Sequence, residues 1–359
     1  MEIKYLSAAS ALTCILLGGC AEKSYDYGWI EEIEGEAPEC VAEFNSRYAV
    51  TLTNAISSRI YSFDGEYELK TTYTEADDSQ TKAVADFLEK EVFPLFPDGF
   101  IAAYMPWTMY VADSVKFVWT DELMDYDPVA KKDIHRITEK TRNVCGDVGG
   151  KQVTFSAKAL ETADRDSLRF EWTSLLIERM MSNTDVWPKP EKFIKIAEDR
   201  LTDYYEMSLF KYYQSTFSKG RTTFGMPFTP FRDRFNLYYY CGAFRTCRYG
   251  HELYYRYTGD FAVAGGYGTT GYSAYTYYEM TYQQDFADML AFLLCYTERE
   301  QEEMIQLAAS RKTTRESTET ASDGTEYTVS KDVVVGREVF EERIALVREY
   351  MKTNLKWDI

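Results

Sequence analysis

This chain of 359 residues has one long apolar run, and it lies at the very start. Tyr5 to Leu17 spans 13 predominantly apolar residues just after Lys4. A helix needs roughly 20 apolar residues to cross a bilayer, so this segment is too short to span and fits the hydrophobic core of an export signal. No other run approaches spanning length, so the rest is expected to fold as a water-exposed body.

The run ends in Leu17-Gly18-Gly19-Cys20 and exits through Ala21-Glu22-Lys23-Ser24. Two glycines give a signal peptidase an unbranched approach to a cysteine whose thiol can take a thioether lipid. The arrangement resembles the lipobox of bacterial lipoproteins. Residues 1–19 are therefore expected to be removed and Cys20 to carry lipid. Residues 20–43, acidic through Glu31-Glu32-Ile33-Glu34-Gly35-Glu36-Ala37-Pro38, are expected to be a solvated tether. Residues 44–359 are expected to form a single domain. The expected address is the outer membrane, lipid-anchored at the cell surface of a Gram-negative envelope.

Acids outnumber bases 58 to 40, giving a formal charge of −18. Such a surface repels phosphate backbones, and no basic patch interrupts it, so nucleic acid is excluded as a partner. Beyond Cys20 the remaining thiols are Cys40, Cys145, Cys241, Cys247 and Cys295. Their odd number prevents complete pairing. Cys241 and Cys247 are close enough to close a small disulfide loop, and equally compatible with two buried thiols.

Periodicity predicts an α+β fold, with a small mixed sheet in the first half and helices in the second. Ser79 to Val92 carries Val84, Phe87, Leu88 and Val92 on one helical stripe and is stopped by Pro94. Strands are predicted at 109–111, 115–119 and 152–156. Helices are predicted over 168–181, 191–213, 283–307 and 337–351. The last has Phe340, Ile344, Val347 and Met351 as its stripe. Ser310 to Ser330 is rich in Ser, Thr and charge and reads as a mobile insertion.

The chemistry is constrained by a shortage of imidazoles. Histidine is the usual general base near neutral pH and the commonest zinc ligand, and the chain has two. His135 lies in a charged segment. His251-Glu252-Leu253-Tyr254-Tyr255 has tyrosine where a two-histidine zinc helix places its second ligand. Residues 204–282 hold 17 of the 30 tyrosines, among them Tyr238, Tyr239, Tyr240, Tyr275 and Tyr277. Tyrosine suits both a hydrogen-bonded core rim and a platform for peptide or glycan, and both readings stay open.

Leu168-Arg169-Phe170-Glu171-Trp172-Thr173-Ser174-Leu175-Leu176, with Gly149 to Val153 before it and Lys192 to Ile196 after, is similar to the zinc-helix region of a lipoprotein family. That family is the substrate-import-associated zinc metallohydrolase, or zinc-binding metallopeptidase, lipoproteins. Gly271-Tyr272-Ser273-Ala274-Tyr275 and Gln284-Asp285-Phe286-Ala287-Asp288-Met289 are similar to two further segments of that family, and Tyr350 to Ile359 to its ending. The resemblance implies a zincin-like helical second half. It also implies a TonB-dependent transporter and its substrate-binding lipoprotein as neighbours.

Where that family carries His-Glu-Phe-x-His, this chain carries Phe170-Glu171-Trp172-Thr173-Ser174. Zinc hydrolysis needs two neutral imidazoles one helical turn apart and an open position for an acidified water. Glu171 is then a vestigial general base, and Phe170, Ser174, Asp285 and Asp288 are the degenerate metal positions. The expectation is a pseudoenzyme without a cofactor, with zinc bound only if that reading is wrong. The alternatives are a hydrolase using Glu171 with Asp285 and Asp288, through another metal or on a glycan, and a structural surface protein.

Overall fold

The computed structural model describes residues 37–56, 70–106, 108–127, 132–149, 152–206, 242–244, 255–258 and 278–359. Cys20, the export segment, Tyr238 to Tyr240, Tyr275, Tyr277, Cys241, Cys247 and His251 lie outside them.

Folding begins earlier than composition suggests. Glu39–Val41 forms a 3-10 turn leading into α1 (Ala42–Tyr48), with Val41 and Phe44 buried, so the last residues assigned to the tether belong to the body. Phe44 stacks on Phe93 at 5.5 Å, and that aromatic contact outweighs the acidity of the flanking residues.

The mixed sheet is organised by one long strand. β1 (Thr51–Thr53) runs parallel to the start of β3 (Thr108–Asp127), and β2 (Lys70–Glu75) pairs antiparallel with its middle. The two strands predicted at 109–111 and 115–119 are thus one, because the chain from Ala112 to Ser114 stays in the ladder through an irregularity at Asp113 instead of turning. β4 (Lys132–Val144) follows β3 antiparallel as far as Val115. At Cys145 the chain bends away, and β5 (Gly146–Gly149) pairs instead with β6 (Gln152–Ser156). β6 lies between β5 and β3, parallel to the latter, and every one of its residues is buried. Gln152, Thr154 and Ser156 alternate with Val153 and Phe155, yet both faces are buried, so the strand's polar face is covered as well.

Between β2 and β3, α2 (Asp78–Phe87) starts on a reciprocal cap between Asp77 and Gln80. It continues as a π-helical turn through Val92 and a 3-10 turn containing Pro94, before α3 (Asp98–Tyr104). After β6, the short α4 (Ala159–Thr162) precedes α5 (Arg165–Met181), whose first turn is capped by the Asp164 side chain. Trp172 of α5 sits between Phe87 of α2 and Phe155 of β6, at 5.0 and 4.9 Å between ring centroids. Its indole N–H donates to the Cys145 carbonyl at 2.9 Å, which satisfies the polar edge of a fully buried ring. α2 and α5 therefore cover one face of the sheet.

The helices then stack outward. α6 (Glu191–Glu206) follows the Trp187-Pro188-Lys189-Pro190 break. β7 (Tyr255–Thr258) pairs in parallel with β8 (Tyr278–Thr281), which leads into α7 (Tyr282–Cys295). The single helix predicted over 283–307 is two helices. Thr297 accepts from the Glu300 amide while Glu300 reaches back to the Thr297 amide, and this capping box starts α8 (Glu298–Ala309) afresh.

The predicted mobile insertion is instead a hairpin. β9 (Lys312–Thr320) and β10 (Glu326–Val334) pair without a bulge around Gly324, whose φ of +85° suits a residue lacking Cβ. Its threonines are β-branched and favour the strand. Helix α9 (Glu338–Asn354) closes the chain, with the predicted stripe of Phe340, Ile344, Val347 and Met351 buried.

Candidate functional site

The residues singled out by the zinc-helix resemblance lie on α5 and α7, which pack antiparallel. Arg169 at one end donates to the Cys295 carbonyl at 2.7 Å, and Ser174, further along α5, meets Asp288, further back on α7. The structure thus brings Ser174 and Asp288 together from a sequence separation of 114 residues.

Their chemistry is closed. The Ser174 hydroxyl donates to Asp288 Oδ1 at 2.5 Å, and the Gln284 amide approaches Asp288 Oδ2 at 3.5 Å. Asp285, one turn earlier on α7, accepts from the Arg343 guanidinium of α9. Arg343 is fully buried, and its guanidinium carbon stands 4.0 Å above the Phe193 ring of α6. A buried charge is tolerable when it is paired and hydrogen-bonded, and this cation meets a carboxylate on one side and an aromatic face on another. Asp285 and Asp288 are each 1% exposed.

Phe170 is half-buried and packs on Tyr296, with 5.9 Å between ring centroids, so its position is filled by an aromatic contact. Burial lifts the Tyr296 hydroxyl above its ordinary range. Glu171 is half-buried on the same helix. Beside them the Cys295 thiol donates to Thr173 Oγ1 at 3.6 Å, and burial pushes it up to about 11, which keeps it a neutral thiol.

These positions do not fit a zinc ion. Phenylalanine has no lone pair, the Ser174 hydroxyl is directed to a carboxylate, and Asp285 faces a fixed cation where a metal would need its charge. Among the described residues no group of three or more His, Cys, Asp and Glu side chains is placed to hold a metal. His135 lies on β4, where its backbone pairs with Met124 of β3.

Two parts of this cluster were missed in the sequence. Gln284 was read only as the first residue of a segment similar to the family, with no role of its own. Arg343 did leave a signal: it lies three residues after Phe340 and four before Val347, on the apolar stripe of α9. A charge on such a stripe needs a buried counter-charge.

No family model, curated protein or solved structure matches the chain. No helix among the described residues is long and apolar enough to cross a membrane.

Proposed function

We propose that the chain is a non-catalytic, metallopeptidase-like lipoprotein that serves as an accessory or binding component of an outer-membrane nutrient import system. One observation carries the non-catalytic part. Asp285 and Asp288, the two carboxylates of α7, are buried and engaged by groups of the chain itself, Ser174 and Gln284 on Asp288 and Arg343 on Asp285. A hydrolase built on Glu171, Asp285 and Asp288 needs at least two carboxylates within reach of a substrate, and the burial of both aspartates counts against it. The membrane part rests on the Leu17-Gly18-Gly19-Cys20 sequence. The partners are those the family resemblance implies, a TonB-dependent transporter and its substrate-binding lipoprotein, with a peptide or glycan as ligand.

The test has two arms on the full-length protein expressed in a Gram-negative host. Elemental analysis of the purified protein is expected to find no stoichiometric zinc or manganese, and finding either would overturn the non-catalytic reading. Affinity isolation from detergent-solubilised outer membranes is expected to recover a transporter subunit with wild-type protein and to lose it with Cys20→Ala. Recovery of none with wild type would overturn the partnership.

A further inference from the structure

The tripeptide Gly242-Ala243-Phe244 lies along the seam between α7 and α9, at the place where those helices hold the Asp285–Arg343 pair. Phe244 stacks on Phe292 of α7 at 4.0 Å and packs against Phe340 of α9 at 5.1 Å. Phe292 is seven residues from Asp285 and Phe340 is three from Arg343, so each ring shares a helix face with one member of the ion pair. Ala243 is 2% exposed. Gly242 adopts a φ of +85°, and a Cβ there would stand 2.8 Å from Arg343 Cδ and 2.9 Å from a Val339 methyl. The backbone at 242 therefore rests directly on the arginine's stem, and glycine supplies both the conformation and the clearance.

We propose that Gly242–Phe244 is a strap that seals the α7–α9 seam, and that its seating keeps water from the buried Asp285–Arg343 pair. A desolvated ion pair needs a closed surround, because water reaching either charge removes the reason for their close approach. Among the described residues, Phe193 of α6 and the strap both lie against the arginine, and α7 supplies its counter-ion. Among the described residues, the strap's ring contacts are those of Phe244 with Phe292 and Phe340. Release of the strap would open this part of the core without the unfolding of α9.

Hydrogen–deuterium exchange read by mass spectrometry on the full chain tests this. In Phe244→Ala, peptides covering 284–295 and 338–347 should exchange about tenfold faster or more, while peptides from β3 and β6 keep wild-type protection. Phe244→Leu retains an apolar side chain and should fall between the two. Unchanged exchange at both segments would overturn the proposal, as would an equal acceleration in β3 and β6, which reports general loosening. If Phe244→Ala does not fold, Phe244→Leu decides by the same comparison at smaller amplitude.

Discussion

Ser174 donates its hydroxyl to Asp288 across the α5–α7 interface, both residues being buried, so one of the two positions expected to have lost a zinc ligand now serves as a structural hydrogen-bond donor. Removing a donor from a buried carboxylate costs about 1–3 kcal/mol. Ser174→Ala is expected to lower stability by that amount in urea unfolding. Ser174→Ala combined with Asp288→Asn should cost less than the sum of the two single changes, because the second change removes the charge that the first left under-solvated. Strict additivity would show that the pair carries no coupling.

Gly146 is the point at which the chain leaves β4 and enters β5 beneath α5. A Cβ at this position would lie 2.5 Å from the Thr154 carbonyl oxygen and 2.7 Å from Leu175 Cδ1. The first contact is with backbone of the central strand β6 and cannot be relieved by a rotamer change. Gly146→Ala is thus expected to cost about 1–3 kcal/mol or more by overpacking. Gly324→Ala at the hairpin turn meets nothing within 4 Å and bears only the conformational penalty of its positive φ, roughly 1 kcal/mol. Thermal unfolding of the two variants should rank them in that order, and the reverse ranking would place the tight approach at 146 in doubt.

The legibility of this chain follows the range of the forces involved. Local periodicity found α5 and α9 because a stripe such as Phe340, Ile344, Val347 and Met351 is a property of one helix facing one core. The break at Thr297 was equally local but hidden, since Thr-x-x-Glu at 297–300 interrupts a segment whose apolar content continues on both sides. β3 was read as two pieces, and what holds Ala112 to Ser114 in one strand is non-local: pairing with β2 and β6, amide bonds from Ala157 and Lys158 to the Ala112 and Asp113 carbonyls, and the contacts of Ser114 with Thr74 and of Asp113 with Gln80. At the candidate site the resemblance located Ser174, Asp285 and Asp288, and the structure brings Ser174 and Asp288 into contact. It could not supply Arg343, which reaches Asp285 across 58 residues of sequence.

Cys295 ends α7 in a buried position where its thiol is pushed up to about 11. An unfolded cysteine titrates near about 8.5. The raised value means that the native state holds the proton more tightly than the unfolded state. Its contribution to stability is therefore fully present below about pH 8.5 and is lost as pH rises through about 11. Unfolding midpoints measured from pH 8 to 11 should fall with a slope that Cys295→Ala reduces. At pH 8, iodoacetamide labelling mapped by mass spectrometry should modify the exposed Cys40 while leaving native Cys295 largely unmodified. Equal labelling of the two would contradict the burial of this thiol.

The Asp285–Arg343 pair separates two accounts of why the aspartate is present. If Asp285 were held for contact with a ligand, removing the arginine would free a carboxylate at modest cost. If it is the internal counter-ion of Arg343, removing either partner strands a charge among Phe193, Phe286 and Phe340, at about 3–5 kcal/mol. The buried geometry supports the second account. Arg343→Met and Asp285→Leu are each expected to shift the guanidinium unfolding midpoint strongly downward. The double substitution, which leaves no charge in the seam, should recover most of that loss because apolar side chains of similar volume can replace a buried pair at little net cost. A double variant no more stable than either single one would show that the seam needs the pair's hydrogen-bond geometry as well as its neutrality.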